Sequence, residues 1–289
     1  MTTNKNTLEH IIHCIFLLMG LVAVSCVLLI TVYLVISGIP AILEIGLIDF
    51  LFGKEWASTA TDPKYGIWAF ILTSIYGTAG AIVIGVPIGF MTAVYLSKIA
   101  SPKVKSMMQS AVSLLAGIPS VVYGLVGMLV LVPGIRKIFG VPDGASLLAA
   151  IIVLAIMILP SIIKMSITAL DAVPKEYEDA SLALGATPIE TYFKVSVPAA
   201  KSGIAAAVVL GVGRAIGEAM AVMMVAGNVP NMPDSIFQSV RFLTTAVSSE
   251  MAYSSGLQQQ ALFSIALVLF LFIMLINATL NFFLKRETE

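Results

Sequence analysis

Arg214 and Glu218 interrupt an otherwise apolar run, Gly211-Val212-Gly213-Arg214-Ala215-Ile216-Gly217-Glu218-Ala219-Met220-Ala221, and their placement demands a chemical explanation. A guanidinium offers five donors and stays protonated at any physiological pH. Counted from Gly203 at about 1.5 Å per helical residue, Arg214 lies about 16 Å into a bilayer, close to its midplane. A charge at that depth costs roughly 2.5–3.5 kcal/mol on insertion scales, so such residues face a bundle interior or a wet cavity. One helical turn separates Arg214 from Glu218, which puts both on one face where they can pair and lower that cost. Two chemistries fit the pair. Arg214 can present a fixed fork of donors to an anion crossing the membrane while Glu218 holds and competes for it, or the two can form a structural ion pair that locks neighbouring helices. Gly213, Gly217 and Ala221, four residues apart, form a small-x-x-x-small stripe on which another helix can pack closely.

A second polar cluster is Ala116-Gly117-Ile118-Pro119-Ser120-Val121-Val122-Tyr123-Gly124. A proline inside an apolar helix frees a carbonyl and kinks the helix. Ser120 and Tyr123 then either line a pathway or satisfy the kink. Pro87 and Pro160 bend two further segments in the same way, which suits helices that move against one another. Covalent chemistry has no visible apparatus. There is no G-x-x-x-x-G-K-[ST] to cradle nucleotide phosphates, no Gly-x-Ser-x-Gly and no histidine or cysteine cluster of metal-ligand spacing. His10 and His13 read as interfacial residues. The expectation is a chain without cofactor, metal or enzymatic activity of its own, whose energy comes from another subunit or not at all.

The elements that hold these residues are membrane spans. Of 289 residues, 59% are hydrophobic and 11% charged, and the mean hydropathy is +1.02; a water-soluble domain hardly reaches such values. Zero formal net charge leaves no basic field for nucleic acid. Cys14 and Cys26 are more than three helical turns apart and cannot bridge each other. A span needs about 20 apolar residues, and six segments qualify, at about 11–37, 68–97, 108–133, 145–170, 203–227 and 261–284. The first is too long for a signal-peptide core and reads as an uncleaved anchor. The fold class is therefore all-α, a polytopic six-helix bundle. Residues 1–67 form an N-terminal anchor helix and outer loop, and 68–289 form the core. Lys5, Lys98, Lys103, Lys105, Lys164, Lys175, Lys194, Lys201, Lys285 and Arg286 fall on one side, which the positive-inside rule makes cytoplasmic together with both termini. Arg136 and Lys137 fall on the other. Two outer segments, about 38–67 and 228–260, read as ordered caps, either connectors or docking surfaces for a partner.

One hydrophilic island, within the loop at about 171–201, separates the fourth and fifth spans on the cytoplasmic side. Its grammar is two short helices joined by a bend: Gly185 can end the first in a left-handed conformation, and Thr187-Pro188-Ile189-Glu190 reads as a capping box that starts the second. Asp179, Ala180, Ser181, Gly185, Val195, Val197 and Pro198 match, in spacing, the EAA signature of ABC-importer permeases, with Asp for the usual Glu and Ser for the second Ala. The chain thus resembles that family, in particular the PstC-type membrane permeases of phosphate importers. The residues that carry the likeness are Ala116–Gly124, Asp179–Pro198, Gly213–Asn228 and Phe242–Tyr253, with Ala219 where the family usually has Thr.

The resemblance implies a type I importer (MetI-like) fold and a cytoplasmic coupling segment containing Glu178, Asp179, Ala180, Ser181, Gly185, Thr187, Pro188 and Pro198 that docks on a separate ATPase. It further implies a pathway at Arg214, Glu218, Ser120 and Tyr123 and a location in the bacterial inner membrane. The implied partners are a second related permease, an ATPase dimer and an extracytoplasmic phosphate-binding protein. Phosphate rests on the likeness; charge says only anion. A permease for sulfate, molybdate or another solute, a membrane scaffold or sensor subunit, and a passive anion channel are the competing readings.

Overall fold

The computed structural model describes residues 3–286, with side chains left out at 3–8, 11, 280, 281 and 283–286. The Lys5, Lys285 and Arg286 side chains thus lie outside the described residues. Helix α1 (Thr3–Ile45) leads through α2 (Leu47–Phe52) to a two-stranded antiparallel hairpin, β1 (Trp56–Ala57) and β2 (Lys64–Tyr65), and then to α3 (Trp68–Val94). A π-helical turn closes α3. Next come α4 (Pro102–Gly117), α5 (Ser120–Val126), a second π turn, α6 (Val132–Phe139) and α7 (Leu147–Asp171). The hydrophilic island forms α8 (Lys175–Ala183) and α9 (Pro188–Thr191), followed by a π turn and α10 (Val197–Ala199). The chain ends with α11 (Lys201–Gly217), α12 (Met220–Val225), α13 (Leu243–Glu250) and α14 (Gly256–Arg286). Among the described residues five helical runs are long and apolar enough to cross a membrane. A sixth is bent, Pro188–Ala199 meeting Lys201–Gly217 at 72°.

The central packing is α3 against α7, and glycine makes it close. A Cβ on Gly80 would stand 2.7 Å from Ile151 Cδ1, one on Gly85 2.7 Å from Ile158 Cδ1 and 3.1 Å from the Ala155 carbonyl, and one on Gly89 2.9 Å from Ile162 Cγ2. The α3 glycines are therefore sockets for the α7 isoleucines. In lipid, where apolar burial gives helices little reason to associate, such contact supplies dispersion energy directly. Gly85→Leu should destabilise the bundle by about 1–3 kcal/mol, the usual range for overpacking, because the Ala155 backbone cannot yield. A detergent-purified sample would show this as a lowered thermal midpoint.

Helix α1 extends beyond the expected 11–37 to Ile45, with Pro40 inside it. Its C-terminal half is held to α14. Gly38 sits against the backbone of Phe263 and Ser264, Ser264 Oγ donates to the Gly38 carbonyl at 2.5 Å, and Tyr33 meets Phe263 edge-on at 5.5 Å. The segments 38–67 and 228–260 are ordered caps, joined by a buried cluster that includes Phe50, Trp56, Tyr65, Ile67, Phe70, Leu243 and Leu262.

Two expectations about continuous helices are corrected. The third span is interrupted at Ile118, whose ψ of 127° is extended, so Pro119 separates α4 from α5 and does not merely kink one helix. The clash of the proline ring with the preceding residue disfavours helical geometry there. The fifth span is interrupted at Glu218, where ψ is again 127°.

Candidate functional site

The two breaks come together. A Cβ on Gly124 of α5 would lie 2.8 Å from Ala221 Cα, and one on Gly127 would lie 2.7 Å from Val225 Cγ1. The second halves of the two interrupted helices thus seat on each other. Ala221, fully buried, packs here, whereas among the described residues no heavy atom beyond their own helix backbone and chain neighbours lies within 4 Å of a Cβ built on Gly213 or Gly217. The expected three-residue packing stripe is therefore divided by the break.

Glu218 is occupied by the break itself. Its Oε1 accepts from the Ala221 backbone N–H at 3.0 Å, and its carbonyl accepts from Thr244 Oγ1 at 2.8 Å. The expected Arg214–Glu218 pair is not formed, because i,i+4 neighbours share a face only on an unbroken helix. Arg214 Nη1 instead donates to Ser161 Oγ on α7 at 3.2 Å. Among the described residues no carboxylate lies within ion-pair distance of Arg214.

Arg214 lines a groove of about 760 Å³ with Ser161, Met165, Val209, Leu210 and Asn277. The walls come from α7, α11 and α14. Ser161 is 10 residues from the end of α7 at Asp171, about 15 Å along the helix axis. The Tyr123 hydroxyl donates to the Leu115 carbonyl at 2.8 Å, an acceptor freed where α4 ends. This bond is the one that the second reading of Tyr123, satisfaction of the break, requires. Ser120 opens α5, half-buried and without a hydrogen-bond partner among the described residues.

About 20 Å along α11 from Arg214, the hydrophilic island folds on its own hydrogen bonds. Gly185 takes φ +89° with open space around it. Thr187 Oγ1 accepts from the Glu190 N–H at 3.3 Å, and Glu190 Oε2 accepts from the Thr187 N–H at 3.1 Å, closing a capping box. Ser181 and Thr191 share a hydroxyl hydrogen bond at 2.9 Å that ties α8 to α9. Asp179, Ala180, Pro188 and Pro198 are exposed. Leu184 is 90% and Ile189 64% exposed, at the tip of the bend. Both apolar side chains are thus held away from their own chain on an otherwise polar segment.

The Glu190 carboxyl is held below its ordinary range, first by the Thr187 backbone donor, then by the Thr187 hydroxyl and Lys194. A depressed carboxylate contributes stability above its unfolded pKa, and that contribution is lost as pH falls through the lower folded value. Limited proteolysis of the segment in membrane vesicles should therefore accelerate below about pH 4. Thr187→Val, which removes the cap at a cost of about 1 kcal/mol, should be cut faster already at neutral pH.

Several participants carry no sequence signal. Ser161 is distinguished only by following Pro160. Lys98, which sequence reading used only for orientation, pairs with Glu178 at 2.6 Å, and Lys105 pairs with Asp171 at 3.1 Å. In the cap formed by residues 38–67 and 228–260, Glu250 accepts from Arg241, Trp56 and Gln258, and Arg241 donates to the Asn228 carbonyl. This network joins the hairpin to α13 and α14.

A polytopic helical bundle with an arginine-lined groove and a bent polar segment at one end is the architecture of a multi-pass membrane permease. The profile of the binding-protein-dependent transport system inner membrane component matches residues 85–287, and the chain belongs to that family. It is 41% identical over 266 residues to a probable ABC transporter permease protein, YqgH, of Bacillus subtilis (strain 168), covering 89% of this chain and 86% of the relative. It is 33% identical over 242 residues to the phosphate transport system permease protein PstC of Pasteurella multocida (strain Pm70), covering 77% and 75%. Among solved structures, an inward-facing MetNI methionine ABC transporter matches with a TM-score of 0.58 at 22% identity, over 78% of this chain and 95% of that one. A bacterial alginate ABC transporter in complex with an alginate-bound periplasmic protein matches with a TM-score of 0.62 at 16% identity, over 95% and 94%. The type I importer fold and the PstC-type resemblance expected from sequence stand. The chain is a transporter component and a multi-pass inner-membrane protein.

Proposed function

We propose that this chain is the PstC-type permease subunit of an ATP-driven importer of inorganic phosphate, in which Arg214 is the anion's contact at mid-membrane. The observation that carries the reading is a guanidinium on an apolar helix that, among the described residues, bonds only a serine hydroxyl and lines an open groove. Leaving a charge there without a counter-ion is costly unless water or an anion reaches it. Its planar donors fit the oxygens of a tetrahedral oxyanion. The relatives named as phosphate transport permeases support phosphate among the oxyanions.

The α8–α9 bend, with Leu184 and Ile189 outermost, docks on a separate ATPase at the cytoplasmic face. ATP binding moves this segment, and through the 72° bend into α11 the groove opens to alternate sides. A second permease and an extracytoplasmic phosphate-binding protein complete the assembly, and both termini are cytoplasmic. Deleting the chain should abolish phosphate uptake by phosphate-starved cells while sulfate uptake is unchanged. Loss of sulfate uptake instead would assign the other oxyanion. Unaltered transport in Arg214→Gln would assign a scaffold or sensor role.

A further inference from the structure

Resting on the proposed function, we infer that Glu178 is a positioning residue for energy coupling, the carboxylate through which the docking helix α8 holds the α7 and α11 walls of the anion groove. Glu178 Oε1 lies 2.6 Å from Lys98 Nζ, in the π turn that closes α3. The same oxygen accepts from Ser196 Oγ at 2.8 Å, in the π turn that leads into α10. The Lys98 and Glu178 side chains are 11% and 18% exposed, and Ser196 is fully buried. A pair so shielded is screened far less than a surface ion pair, and removing one partner strands the other.

The two contacts diverge from α8. Through Lys98 the carboxylate grips α3, whose glycines seat the α7 isoleucines at Gly85 and Gly89 and so carry Ser161. Through Ser196 it grips the segment that turns by 72° into α11 and carries Arg214. Ser161 and Arg214 are the two groove residues joined by a hydrogen bond across the groove wall. A displacement of α8 by the ATPase is therefore delivered to α7 and α11 together. Asp179, its neighbour in sequence, is exposed and remains available to the partner. Adjacent carboxylates thus divide the work, one facing inward to the spans and one outward.

The test uses the complete complex in proteoliposomes, with uptake of labelled phosphate and hydrolysis of ATP measured in the same sample. Glu178→Gln should raise the ATP consumed per phosphate by about tenfold, the loss expected when one member of a hydrogen-bonded charge pair is neutralised. The exchange Lys98→Glu with Glu178→Lys should bring the ratio back to within about threefold of the original, the coupling that a double-mutant cycle reads. A merely structural role would lower the yield of complex without moving this ratio. Should Glu178→Gln reduce assembly, the milder Ser196→Ala reads the same quantity and should raise it about twofold. An unchanged ratio in these variants, or an exchange no better than the single substitutions, overturns the inference and leaves the proposed function intact. Absence of ATP-dependent phosphate uptake in the unsubstituted complex overturns both.

Discussion

Arg214→Gln is expected to reduce phosphate uptake by at least about 100-fold while the complex still assembles with its ATPase. The magnitude follows from the chemistry of the contact: each charge-assisted hydrogen bond is worth about 1.5–3 kcal/mol, and a bidentate guanidinium supplies two. Glutamine is uncharged and shorter, so it removes both the fork and its bond to Ser161 Oγ while keeping a polar, helix-compatible side chain in the groove. Arg214→Lys keeps the charge but not the fork, and should fall between the two. The check is uptake of labelled phosphate alongside co-purification of the ATPase. Loss of assembly with residual specific transport intact would restore the structural reading of this residue. Because Glu218 is engaged by the Ala221 N–H and Thr244 and not by Arg214, Glu218→Gln should act through the helix break. Its effect should be smaller, since glutamine retains an oxygen acceptor.

Leu184→Asp should abolish co-purification of the ATPase and with it ATP-dependent uptake. Leu184 is the more exposed of the two apolar side chains at the bend, and it touches little within its own chain, so its replacement leaves the permease folded. Burying a leucine in a partner contributes about 1.5–3 kcal/mol. Placing a carboxylate in the same pocket adds desolvation of several kcal/mol. The summed loss corresponds to more than about a thousandfold in affinity. Pull-down of the ATPase from solubilised membranes, with Tyr253→Asp as a control at an equally exposed residue 92% accessible beyond α13, separates docking from general surface polarity.

Spans and bend were legible in the sequence for different reasons. Membrane helices announce themselves because a bilayer forces every residue of a span toward apolar character, as in the runs that became α3 and α7. The bend at Gly185 was legible because a left-handed residue and a capping box are local, and their rules involve only neighbours within four positions. The breaks were less legible. Pro119 signalled a disturbance, but whether a proline kinks a helix or ends it depends on what receives the freed carbonyl, here the hydroxyl of Tyr123.

At Glu218 the local sequence favours a continuous helix. It is interrupted by tertiary contacts, Thr244 taking the carbonyl and α12 seating on Gly124. That break removed the expected Arg214–Glu218 pair. Ser161 and the Lys98–Glu178–Ser196 bridge lie on elements far apart in sequence. No spacing rule reaches such partners.

The most direct measurement is the initial rate of labelled phosphate uptake into proteoliposomes that hold the complete complex and its binding protein, taken with and without ATP and with excess sulfate. The account predicts uptake that requires ATP, is lost in Arg214→Gln and is insensitive to sulfate. Flux that proceeds without ATP, or that persists when Arg214 is replaced, would contradict it.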